Sequence, residues 1–164
     1  MQDIRIVEIP KMKVVLSGPI TNEKEFMDFG TWWTNYDKSV KGKLVPRDFM
    51  WYNEKINARE WIYTLPNPEI NRDYGGYKTK IFPFGLYAVA SCIDADCDEA
   101  RDWLETKKEI EDWVNNSECF ALSTIENDQC ERYPMFHIIS PEILYEKMGI
   151  RQEDLYVPII VKEK

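Results

Sequence analysis

Phe49-Met50-Trp51-Tyr52-Asn53, followed by Glu60-Trp61-Ile62-Tyr63, is echoed late in the chain by Phe136-His137-Ile138-Ile139-Ser140 and Asp154-Leu155-Tyr156-Val157. Each member of the echo is a short run of β-branched and aromatic residues, the signature of a strand. Ahead of each pair lies a further apolar run and then a charged, amphipathic segment of helical length. Each half therefore reads strand, helix, strand, strand. Two such units side by side enclose a cleft, which favours a ligand-binding module over a scaffold.

In the first half, Lys11 to Ser17 has a β-branched centre and reads as a strand ended by Gly18-Pro19. Asn22 with Glu25 forms a capping-box signature, and Phe26, Phe29, Trp33, Tyr36 and Val40 then recur at spacings of three and four, with Gly42 as the stop. After Pro46, strands are expected at about 48 to 53 and 60 to 65, broken by Pro66-Asn67-Pro68. Tyr77 to Phe82 alternates as a bridging strand.

The second half opens with Leu86 to Cys92, apolar throughout and so expected to be a central strand covered on both faces. Asp96 and Glu99 repeat the capping box, and Ala100, Trp103, Leu104, Ile110 and Val114 mark the buried stripe of a second helix, with Trp113 beside it. Phe120 to Ile125 adds a short strand. A small helix with Ser140 as its cap, Pro141 at its first position and Gly149 at its end interrupts the last strand pair. No linker divides the halves. The expectation is one domain over residues 1 to 164, with pseudo-repeats at about 1 to 82 and 83 to 164.

Composition removes several function classes. A formal charge of −8, from 29 acidic and 21 basic residues with no Lys/Arg cluster, argues against direct nucleic-acid binding or an anionic membrane surface. Met1-Gln2-Asp3-Ile4-Arg5 lacks the apolar core of a signal peptide, and no run is long enough to span a bilayer, so a cytoplasmic location is expected. Cys92, Cys97, Cys119 and Cys130 form no CxxC pair, and His137 is the only histidine, so reduced thiols and neither metal nor cofactor are expected.

Gly85-Leu86-Tyr87-Ala88-Val89, Trp113, Pro134-Met135-Phe136-His137-Ile138 and Asp154-Leu155-Tyr156-Val157-Pro158-Ile159, in this order and spacing, resemble the GyrI-like effector-binding family. The resemblance covers nearly the whole chain. It implies an α+β fold in which a tandem strand-helix-strand-strand repeat makes one curved antiparallel sheet with two long helices and a pocket between the repeats. It also implies binding of amphipathic, often cationic aromatic compounds, with a strand glutamate supplying negative charge. His137 stands where that glutamate is expected, and an imidazole cannot neutralise a cation as a carboxylate does. Glu131, in the preceding loop, is the nearest substitute.

The expected ligand-binding residues are His137, Met135 and Ile139 on alternate positions of one strand, Met50 and Tyr52 by the repeat, Tyr87 and Tyr156 by the resemblance, and Trp32, which falls off its helix stripe. Trp51 is then expected to face the helices. The function this supports is capture of a hydrophobic or aromatic small molecule, for sensing or sequestration. Two other classes remain open, a hydrolase using His137 as its base and a gyrase-inhibitor-like module that binds a protein partner through its acidic surface. Exposed strand edges permit a homodimer.

Overall fold

A computed structural model describes residues 3–36, 48–65, 73–95, 103–124, 126–128 and 130–163. Among them the class is α+β, with nine antiparallel strands and three helices. Val40, Gly42, Pro46, Pro66-Asn67-Pro68, the Asp96/Glu99 capping box, Cys97, Ala100 and Ile125 lie outside the described residues. No helix among the described residues is long and apolar enough to cross a membrane.

The chain divides into two compact units, residues 1–10 with 83–164, and residues 11–82. The strand that joins the N-terminus to the later unit is β1 (Arg5–Ile9), which the sequence reading did not anticipate. It is short and mostly exposed, so its alternation carries little apolar signal. It earns its place by pairing with a later strand rather than by propensity.

In the unit of residues 11–82, β2 (Met12–Ile20) leads into α1 (Glu23–Tyr36), followed by β3 (Asp48–Asn53), β4 (Ala58–Thr64) and β5 (Lys78–Phe82), with sheet order β3-β4-β2-β5. Strand β2 does not end at Gly18-Pro19. Its pairing with β4 shifts register between Leu16 and Pro19 and then resumes, so the glycine and proline form an irregularity inside the strand. Helix α1 starts as its sequence implies: the Glu25 amide donates to Asn22 Oδ1 (3.0 Å), and Glu25 Oε2 accepts from the Thr21 amide (2.7 Å). Its apolar side packs Phe29, Trp32, Trp33 and Tyr36 on Val15, Trp61, Tyr63 and Leu65.

In the other unit, β6 (Gly85–Ala95) leads to α2 (Trp103–Asn115), β7 (Phe120–Leu122), β8 (Met135–Ile138), α3 (Glu142–Met148) and β9 (Ile150–Val161). The sheet order is β1-β6-β9-β8, with β7 also paired to β9. Strand β6 is central and buried on both faces from Tyr87 to Ala90, as its unbroken apolar run implies. Helix α2 sets Ile110 and Val114 on Ala88, Ala90, Leu155, Val157 and Ile159, with Trp113 partly buried beside them, while Leu104 points to solvent at 58% exposure. Helix α3 ends at Gly149 with φ 65°, but Ser140 does not cap its start; the Ser140 hydroxyl instead accepts the Gln152 amide of β9 (3.1 Å). Each unit is thus a sheet with a helix on one face. In each, residues on the sheet's other face are buried as well.

Candidate ligand-binding face

Strand alternation sorts the side chains of β6, β8 and β9 onto two faces. The face packed under α2 takes Ala88, Ala90, Leu155 and Val157. The opposite face carries three cross-strand rows. Tyr87 pairs with Pro158; Arg5, Val89, Tyr156 and Met135 follow one another across four strands; Ser91, Asp154 and His137 form the next row. Four of the expected residues, Tyr87, Met135, His137 and Tyr156, therefore share one face.

This face is dry and carries polar groups. Tyr87, Val89 and Met135 are at most 1% exposed and Tyr156 and Asp154 are 6%. The Tyr87 and Tyr156 rings meet edge to face at 6.2 Å. The Tyr87 hydroxyl is fully buried beside the Arg132 guanidinium, which can only donate to it, and among the described residues no acceptor takes its proton. Burial raises its pKa well above the ordinary tyrosine range, an effect the Arg132 cation partly offsets. Burial likewise pushes Tyr156 up to about 12, with the charge of Asp154 adding to it.

Asp154 is the acid of this face. Its Oδ1 accepts Ser91 Oγ (2.6 Å) and an ion pair from Arg5 Nη2 (2.7 Å). The hydrogen bond to Asp154 raises the Arg5 pKa against a smaller opposing effect of burial. Ser91 thus directs its proton to the carboxylate, whereas a nucleophilic serine would direct it to a histidine. Beside Tyr87, the Arg132 guanidinium lies 5.5 Å from the ring centroid, donates to Leu86 O (2.9 Å) and Ile159 O (3.2 Å), and is gripped by Asp128. Burial would raise the Asp128 pKa, but hydrogen bonds from Ser123, the Cys130 amide and Arg132 outweigh it and hold the carboxyl below its ordinary value. Glu131 accepts the Tyr133 hydroxyl (2.7 Å).

Four expected residues belong elsewhere. Met50 pairs with Trp61, whose ring stacks on Phe26 of α1 at 4.6 Å, so Met50 and, two residues on, Tyr52 lie on the helix side of their sheet. Trp51 takes the face away from α1, contrary to expectation. Trp32 packs inside the α1 aromatic cluster, against Phe29, Tyr36, Tyr63 and Tyr77. Ile139 follows the end of β8 and is 45% exposed.

The reason is a slip of one residue. Aligning Phe49 with Phe136 sets Met50 against His137, but the strand pairs place Trp51 opposite Glu60 and His137 opposite Asp154. Trp51 is therefore the counterpart of His137, and a one-residue slip exchanges faces. On that face of the unit of residues 11–82, Glu60 is 6% exposed, and its Oε2 accepts Trp51 Nε1 (3.0 Å) and Asn53 Nδ2 (2.9 Å). Glu60 and Asp154 were not singled out from the sequence, although they hold matching positions in its echo, the one signal that pointed to them. Arg5 and Arg132 carried no such signal.

No family model matches the chain, and no curated protein matches it. Solved structures do match. The C-terminal domain of EcmrR aligns over 98% of each chain at 12% identity with a TM-score of 0.62. This chain has that domain's fold. The EcmrR chain in its DNA complex aligns over 96% of this chain at 11% identity with a TM-score of 0.65, and the chain spans 57% of the length of that one. SAV2435 bound to tetraphenylphosphonium aligns over 98% of this chain and 94% of its own at 12% identity with a TM-score of 0.53.

Proposed function

We propose that this protein binds a hydrophobic or aromatic small molecule on the face formed by Tyr87, Met135, His137 and Tyr156, as the ligand domain of a transcription regulator does. The observation that carries this reading is the buried Tyr87 hydroxyl, whose proton finds no acceptor among the described residues. Leaving such a group unpaired costs about 1–3 kcal/mol, a cost repaid if a ligand accepts its hydrogen bond. Apolar walls with a few oriented polar groups suit small aromatic compounds. The likeness in fold to SAV2435, solved with an aromatic cation, supports the same reading.

The test is equilibrium dialysis of the intact chain against a panel of aromatic compounds, with urea unfolding of the free protein in parallel. Tyr87→Phe removes the hydroxyl whose proton has no acceptor, so it is expected to stabilise the free protein by about 1–3 kcal/mol and to weaken binding. Absence of saturable binding by every compound would refute the reading. A Tyr87→Phe variant that is less stable than the parent and binds equally well would remove its main support.

A further inference from the structure

We propose that Arg5 sets the charge of the ligand this face accepts: it stands where an organic cation would have to sit, so the face takes neutral aromatic compounds bearing a hydrogen-bond acceptor. This rests on the ligand-binding reading above.

Asp154 is the carboxylate of the three rows, and the chain already answers its charge. Arg5 Nη2 is 2.7 Å from Oδ1, and Ser91 Oγ donates to the same oxygen. The second cation at this face, Arg132, is likewise matched by Asp128. Each pair balances its own charge among the described residues at this face. His137, at the position where the resemblance expects a glutamate, adds no negative charge. An organic cation entering here loses its hydration and meets, in these three rows, no carboxylate without a cation beside it, a loss that burial makes costly. To reach Asp154 it must first expel Arg5. A neutral arene has no such penalty, and the Tyr87 hydroxyl can donate to a carbonyl or similar acceptor on it.

The geometry makes Arg5 a replaceable part of this arrangement. Its side chain is 53% exposed, whereas that of Asp154 is 9% exposed. Removing Arg5 therefore takes little from the core, yet it leaves Asp154 buried and unbalanced. A cationic ligand would then restore what the arginine supplied.

Three probes of similar shape read this directly: tetraphenylphosphonium, tetraphenylborate and neutral triphenylphosphine oxide, each titrated into the intact chain by calorimetry. The parent protein is expected to bind the oxide at least about tenfold more tightly than the phosphonium, a factor corresponding to about 1.4 kcal/mol. Arg5→Gln is expected to raise phosphonium affinity about tenfold or more and to weaken borate binding, with the oxide little changed. Arg5→Lys should behave as the parent, and Arg5→Gln with Asp154→Asn, again neutral, should lose the phosphonium gain. Phosphonium binding as tight as the oxide in the parent, or an unmoved ratio in Arg5→Gln, overturns the proposal while leaving small-molecule binding intact. Failure of all three probes in every folded variant overturns the binding reading itself. The comparison within the parent decides the matter even if Arg5→Gln does not fold.

Discussion

Gly85 lies directly beneath the Arg132 guanidinium, so close that a Cβ at residue 85 would stand 2.0 Å from Nη1. The space a side chain would fill is taken by the group that ties Leu86 O, Ile159 O and Asp128 together. Gly85→Ala must push Arg132 off its acceptors, and we expect it to cost about 2–4 kcal/mol by urea unfolding, in the range of a broken buried network. In an Arg132→Ala background the same substitution should cost less than about 1 kcal/mol, because nothing remains to displace. Additive losses in the double variant would show that the clash lies elsewhere.

The tyrosine pair gives the protein an alkaline limit. Tyr156, with its pKa raised from 10.0 to about 12, favours its neutral form in the folded state. Its contribution to stability is therefore complete below pH 10 and is lost as pH rises from 10 through about 12, because the unfolded chain ionises first. Tyr87 shifts in the same direction and acts with it. Thermal unfolding measured from pH 8 to 12 should show a falling midpoint above pH 10, shallower in Tyr156→Phe. Parallel profiles for parent and variant would contradict this assignment.

Glu60 is held by two neutral donors on one carboxylate oxygen. Glu60→Gln keeps a carbonyl oxygen for Trp51 and Asn53, whereas Glu60→Ala strands both. We expect the alanine variant to lose about 2–5 kcal/mol and the glutamine variant appreciably less, by chemical denaturation. Equal losses would mean that charge, not hydrogen bonding, fixes this residue.

Asn22 and Ser140 make a contrast between two residues that both read as helix caps. Asn22 Oδ1 accepts the Glu25 amide, so Asn22→Ala should cost about 1 kcal/mol. Ser140 accepts the Gln152 amide of β9, so Ser140→Ala should leave α3 intact and speed hydrogen exchange at Gln152. Faster exchange confined to α3 would restore the capping role to Ser140.

Apart from β1, the order of strands and helices was legible because it is written locally. Asn22 with Glu25 announces α1, Gly149 closes α3, and the apolar run at Leu86 to Cys92 marks a strand covered on both faces. The tyrosines at 87 and 156 and the residues at 135 and 137 fell on one face because strand alternation is fixed by the backbone. Met50 and Tyr52 were misplaced by the same rule, since the echo between halves is one residue out of step in its first strand.

By itself the sequence determined the class of fold, the succession of elements after β1 and the tyrosines of the candidate face, because capping, periodicity and turn chemistry act over a few residues. The tertiary structure alone decided that Arg5 reaches Asp154, that Arg132 closes over Tyr87 and Gly85, and that Trp51 rather than Met50 is the counterpart of His137. Those outcomes depend on strand register and on pairing between distant segments, and a single-residue shift, invisible to local pattern, exchanges one face of a strand for the other.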